Sequence, residues 1–109
     1  MSQTQSIEQK IQIMQTKRDA KAQDHLTQYA PVWIVHEETV LEENTLIFDV
    51  AFYHPLYAWV RRRYLFDSYN NVLHHRGQIT IDEEATYDFQ NEEPYISADV
   101  LNTVNSYGG

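Results

Sequence analysis

The chain has 109 residues, no cysteine and a formal net charge of −8 at pH 7. That length fits one domain, since domain sizes cluster at about 100–150 residues, and at this size folding buries about two-thirds of the surface without metal or disulfide staples. The missing cysteines exclude a disulfide framework, a thiol nucleophile and a cysteine zinc site, and they suit a reducing compartment. All three lysines (Lys10, Lys17 and Lys21) lie near the start, whereas seven acids and no Lys or Arg follow from Asp82 onward. Such a balance argues against nucleic acid as a partner, because phosphate binding is driven by basic charge. The opening MSQTQSIEQK lacks the basic and apolar blocks of a signal peptide. No apolar stretch reaches the roughly 20 residues of a membrane span. The expected location is the cytoplasm, with no membrane partner.

Taken in chain order, residues 1–5 read as a disordered start, residues 6–105 as a single domain and residues 106–109 as a loose tail. Ser6 to Gln9 forms S-x-x-Q, a capping-box pattern. Ile7, Ile11, Met14, Ala22, Leu26 and Tyr29 then recur at helical spacing, with a gap between Lys17 and Lys21. Pro31 disfavours helical geometry at Ala30 and marks the stop. A helix of about 23 residues is expected, roughly 35 Å long.

After Pro31, β-branched and aromatic residues take over. Val32 to Leu41 reads as a strand and Glu42-Glu43-Asn44 as its turn. Thr45 to Tyr53 is a second strand, with Leu46, Phe48, Val50 and Phe52 on one face at period two. Residues 55–66 fit either a helix or a strand, and the loop-forming Asp67-Ser68-Tyr69-Asn70-Asn71 that follows favours a strand entering a hairpin. Val72 to Ile81 alternates next, with Leu73, Ile79 and Ile81 inward and His74, Arg76, Gln78 and Thr80 outward. A short strand at Thr86 to Phe89 and a short C-terminal helix from Ser97 to Val104 complete the chain, with Asp99 at the positive end of that helix. The expected fold is therefore α+β: a long N-terminal helix on a curved four- to five-stranded antiparallel sheet, cystatin-like or cone-like by arrangement alone, since no motif ties the chain to a family.

Catalytic and cofactor motifs are missing from the sequence. His36-Glu37-Glu38 lacks H-E-x-x-H spacing, no glycine-rich phosphate loop exists, and no serine lies in a G-x-S-x-G elbow. A metal site drawing His36, His54 and either His74 or His75 together across strands is geometrically conceivable, with packed or surface histidines as the ordinary reading. No cofactor is implied. Asp49 interrupts an apolar strand on the face away from Phe48, which suggests an exposed position, or else a pocket acid or an ion pair with an arginine on a neighbouring strand.

The stretch Tyr57-Ala58-Trp59-Val60-Arg61-Arg62-Arg63 carries the most functional information. On a strand, Tyr57, Trp59, Arg61 and Arg63 share one face, and Tyr, Trp and Arg are the residue types that dominate binding hot spots. The ordinary alternative is internal, with these arginines neutralising Asp82–Glu84 and Glu92–Glu93. The leading expectation is a non-catalytic protein-interaction module, an assembly factor, adaptor, inhibitor or immunity-type protein, that binds a protein partner or associates with itself as a homodimer. A second is a small-molecule binder or cofactor-free enzyme with a pocket between helix and sheet, involving Asp49, Tyr53 and His54. A third is an anion or single-strand nucleic-acid groove built on Trp59 and the arginines.

Overall fold

Ser6 opens the first helix as its sequence predicts. Its hydroxyl accepts from the Gln9 backbone N–H and the Gln9 side-chain oxygen accepts from the Ser6 N–H, both at 3.1 Å. In this computed structural model, which describes residues 6–98, helix α1 runs Ile7–Leu26 and a 3₁₀ turn, Thr27–Tyr29, extends it towards Pro31. The buried side chains of α1 are Met14, Arg18, Ala22 and Leu26. Spaced four apart, they form one narrow line down the helix. Arg18 fills the gap in the apolar stripe, and Ile7 stays 64% exposed.

Four strands follow: β1 (Trp33–Val40), β2 (Thr45–His54), β3 (Ala58–Asp67) and β4 (Val72–Thr80). They pair in sequence order as an antiparallel meander. Asn44 and Asn71, both at positive φ, close the turns before β2 and β4, where the left-handed region suits asparagine. The residues at period two do form the core face: Leu46, Phe48, Val50 and Phe52 are fully buried. Val60, Tyr64 and Phe66 of β3 join them against Met14, Ala22 and Leu26 of the helix. Burying each large apolar side chain stabilises the fold by about 1.5–3 kcal/mol. The sheet thus has an inner face under α1 and an outer face turned away from it.

Three expectations change. First, β4 does not alternate evenly. Its pairing passes from Tyr64↔His75 to Arg63↔Gly77, so Arg76 is the extra residue of a bulge. Gly77 holds φ +156°, a conformation side-chain-bearing residues rarely take. The bulge reverses the facing of the strand's second half, which leaves Ile79 62% exposed on the outer face and turns Gln78 inward to Arg62. Second, Tyr57 is not on the strand. Pro55, Leu56 and Tyr57 make the β2–β3 turn, Ala58 leaves it at φ +63°, and the Tyr57 ring leans on His54 at 4.8 Å. Third, the expected strand at Thr86 to Phe89 is helical instead: a 3₁₀ turn, Glu83–Thr86, runs into a short helix α2, Tyr87–Gln90. A short helix near the C-terminal end is therefore present, upstream of Ser97. The expected start at residues 1–5, all of the expected Ser97 to Val104 helix after Ala98, including Asp99, and the tail at 106–109 lie outside the described residues.

Candidate interaction site

The outer face is covered at one end only. Trp33 of β1 packs against Phe89 of α2 at 5.3 Å and against Trp59 of β3 at 6.0 Å, and Trp59 meets Phe89 at 6.0 Å and Tyr53 at 5.9 Å. The Trp33 indole N–H donates to the Glu92 carbonyl at 3.0 Å, and Val32 bridges Ile96, so the segment after β4 is pinned back across the start of β1. Beyond these rings the face is open.

Asp49 lies at the centre of the open part, directly across from Arg63 in the β2–β3 register, with Arg61 two residues along the same face. Arg61 donates to Asp49 Oδ2 from Nε at 3.0 Å and from Nη2 at 2.8 Å. Arg63 donates to Oδ1 from Nε at 2.7 Å and to Oδ2 from Nη2 at 3.0 Å. The carboxylate is only 4% exposed, while the Arg61 and Arg63 side chains are 40% and 53% exposed. Asp49 therefore sits on the face its sequence position indicates, but buried beneath two arginines rather than exposed. Burial pushes its carboxyl upward, and the hydrogen bonds and charges of Arg63 and Arg61 overcome that push, holding it below the ordinary carboxylate value. The same contacts raise Arg63, with a smaller contribution from Glu38 on β1.

A shallow groove of about 360 Å³ runs beside this cluster, lined by Asp49, Arg61, Arg63, Arg76, Gly77 and Ile79 among others. Arg76 forms no ion pair among the described residues. Among the residues lining the groove, three guanidiniums face one acid, with Glu38 acting on Arg63 from β1. With all four hydrogen bonds directed at it, the Asp49 carboxylate has little capacity to shuttle a proton, whereas the outer edges of Arg61 and Arg63 and the whole of Arg76 remain open to a ligand.

Trp59, Arg61 and Arg63 thus share a face, and Tyr57 stands apart at the hairpin tip. Asp49 and Tyr53 lie on the outer face. His54 points the other way and stacks on Tyr29 at 5.7 Å, so these three do not share one side of the sheet. The arginines pair with Asp49 and not with Asp82–Glu84 or Glu92–Glu93. His36 lies on the outer side of β1, and His74 and His75 face opposite sides of β4; among the described residues no three His, Asp or Glu side chains form a metal-holding group. The sequence marks Arg76 as an outward strand residue but not as part of this site, because its place beside Arg63 comes from the bulge, for which Gly77 inside a strand is the signal.

Compared with known family models, curated proteins and solved structures, the chain matches none.

Proposed function

We propose that the protein is a non-catalytic interaction module that docks a partner protein on the open outer face of its sheet, through Trp59, Arg61, Arg63 and Arg76. The observation that carries this reading is the imbalance in the groove: two arginines share one buried carboxylate and a third has no acid partner among the described residues. A carboxylate-bearing loop or strand of a partner meets both the charge and the forked geometry of these side chains. The exposed Ile79 and the half-buried Trp59 supply apolar contact beside them. The chain's remaining acidity then repels other acidic surfaces and favours binding in this one orientation. A cytoplasmic setting belongs to the same reading. Among the described residues no helix is long and apolar enough to cross a membrane. A cofactor-free enzyme using Asp49 as acid or base has less support, because that carboxylate is saturated with donors and held ionised.

The test is affinity capture from the native host with three folded baits: the unaltered chain, Arg63→Gln with Arg76→Gln, and Lys10→Gln with Lys17→Gln on the helix. Loss of a partner from the second bait alone supports the reading, and light scattering shows whether that partner is a second copy. Identical recovery from all three baits contradicts it.

A further inference from the structure

A second concavity, remote from the outer face, lies between the C-terminal half of α1 and the β3–β4 hairpin. It measures about 350 Å³ and is lined by Lys21, His25, Tyr64, Asn71, Leu73 and His75 among others. In a chain with sixteen acids, its lining holds none. Lys21 forms no ion pair among the described residues. The two imidazoles flank the Tyr64 ring, His25 edge-on at 5.6 Å and His75 at 5.7 Å.

Behind Tyr64 lies Arg62, only 8% exposed. Its Nε donates to Gln78 Oε1 at 2.7 Å and its Nη1 to the Tyr64 hydroxyl at 2.8 Å. The guanidinium also stands 5.1 Å from the centres of both the Tyr29 and Phe52 rings. No carboxylate among the described residues pairs with it. Neutral acceptors and ring faces solvate this buried charge without cancelling it, so its field extends into the cleft. Burial first, and the Arg62 charge second, hold both His25 and His75 below the ordinary imidazole value.

We infer that this cleft is a binding site for the phosphoryl group of a small organic phosphate, held by Lys21, His25 and His75 with the Tyr64 hydroxyl and the buried Arg62 behind them. Phosphate is favoured over carboxylate by the donor types. The one arginine fork is already engaged inside the protein, leaving an ammonium and two imidazoles that suit a tetrahedral anion approached from several sides. Tyr64 accepts from Arg62, so its hydroxyl keeps its own proton to donate. Leu73 and Val72 supply an apolar wall for the organic part. The site is independent of the proposed docking face and stands or falls separately from it.

The experiment follows the ring signals of His25 and His75 by NMR while the full chain is titrated with phenyl phosphate, inorganic phosphate or benzoate. Saturable shifts of both rings with phenyl phosphate below about 10 mM, with the affinity read at the His25 ring weakened at least about tenfold in a folded Lys21→Gln, His75→Gln variant, bear the inference out. That variant changes two exposed side chains and leaves Arg62 in place. Inorganic phosphate saturating the same signals more weakly identifies the phosphoryl group as the recognised part. Benzoate binding as tightly as phenyl phosphate, shifts that map to Arg61, Arg63 and Arg76 instead, or no saturable shift at all would each overturn it.

Discussion

Replacing Arg18 separates packing from charge on the inner face. The side chain is 4% exposed, its guanidinium lies 4.8 Å above the Phe48 ring and 5.6 Å from that of Tyr95, and it binds Asp19 at 2.7 Å and Glu37 at 2.9 Å. Burial opposes its charge, but the contacts with Asp19, Tyr95 and Glu37 outweigh burial and hold the guanidinium above its ordinary value. Arg18→Ala removes two ring contacts, at about 1 kcal/mol each, together with the buried stem, at about 1–2 kcal/mol. The two acids are 40% and 28% exposed, so they regain water and their loss adds under about 1 kcal/mol. The expected cost is about 3–5 kcal/mol for Ala. For Met, whose chain refills the space over Phe48, it is about half that. Urea unfolding followed by tryptophan fluorescence, with equal slopes for all three proteins, gives both differences directly. An alanine variant within about 0.5 kcal/mol of the parent would show that Arg18 behaves as a surface residue, contrary to its burial. A methionine variant as unstable as the alanine one would place the energy in the charge and not in the packing.

Other outcomes follow from the same contacts. Asp49 has a folded-state value below its unfolded one, so its contribution is present at neutral pH and fades as pH falls below about 4. Asp49→Asn should therefore be less stable than the parent at pH 7, with the gap closing at pH 3; a gap of equal size at both pH values contradicts the double arginine clamp. His25 and His75 have lowered folded-state values, so the unfolded chain takes up protons first and stability falls as pH drops below about 6.5. The groups facing them are Lys21 on α1, Arg62 and Tyr64 on β3, and each other's ring. Replacing both histidines by Gln should flatten the stability profile between pH 7 and pH 5, and an unchanged slope would remove them as its source. Trp33→Phe loses the bond to the Glu92 carbonyl, a cost of about 1 kcal/mol. Amide exchange should then rise at residues 85–96 before it rises in the sheet; uniform change would show that the segment is not pinned by this indole.

The parts of the fold that could be read in the sequence are those set by neighbours along the chain. The Ser6–Gln9 box, the period-two face from Leu46 to Phe52 and the loop from Asp67 to Asn71 each carry a local physical signal, and each forms where that signal falls. Arg18 is hidden from hydropathy because its charged tip masks a long apolar stem, yet its position four residues from both Met14 and Ala22 marks it as inward-facing. The reversal of β4 follows from a single inserted residue, which period-two counting cannot register without its partner strand. The segment from Glu83 to Gln90 offers little periodicity in either sense, and its conformation is set by Trp33 and Trp59, far away in sequence. Asp49 and the arginines stood out individually. Their meeting depends on the exact register of the β2–β3 hairpin, fixed by the three-residue turn and Ala58. The cleft joining His25, Tyr64 and His75 draws on three elements, so no spacing in the sequence announces it.

Arginine footprinting with phenylglyoxal tests the docking face whatever the partner's identity. Modification of Arg63 and Arg76 is compared between the purified protein and the protein in concentrated lysate of its host, with the buried Arg18 and Arg62 as internal references. The docking account predicts that Arg63 and Arg76 lose reactivity in lysate while the references stay unreactive in both. Equal reactivity of Arg63 and Arg76 in the two settings would contradict it.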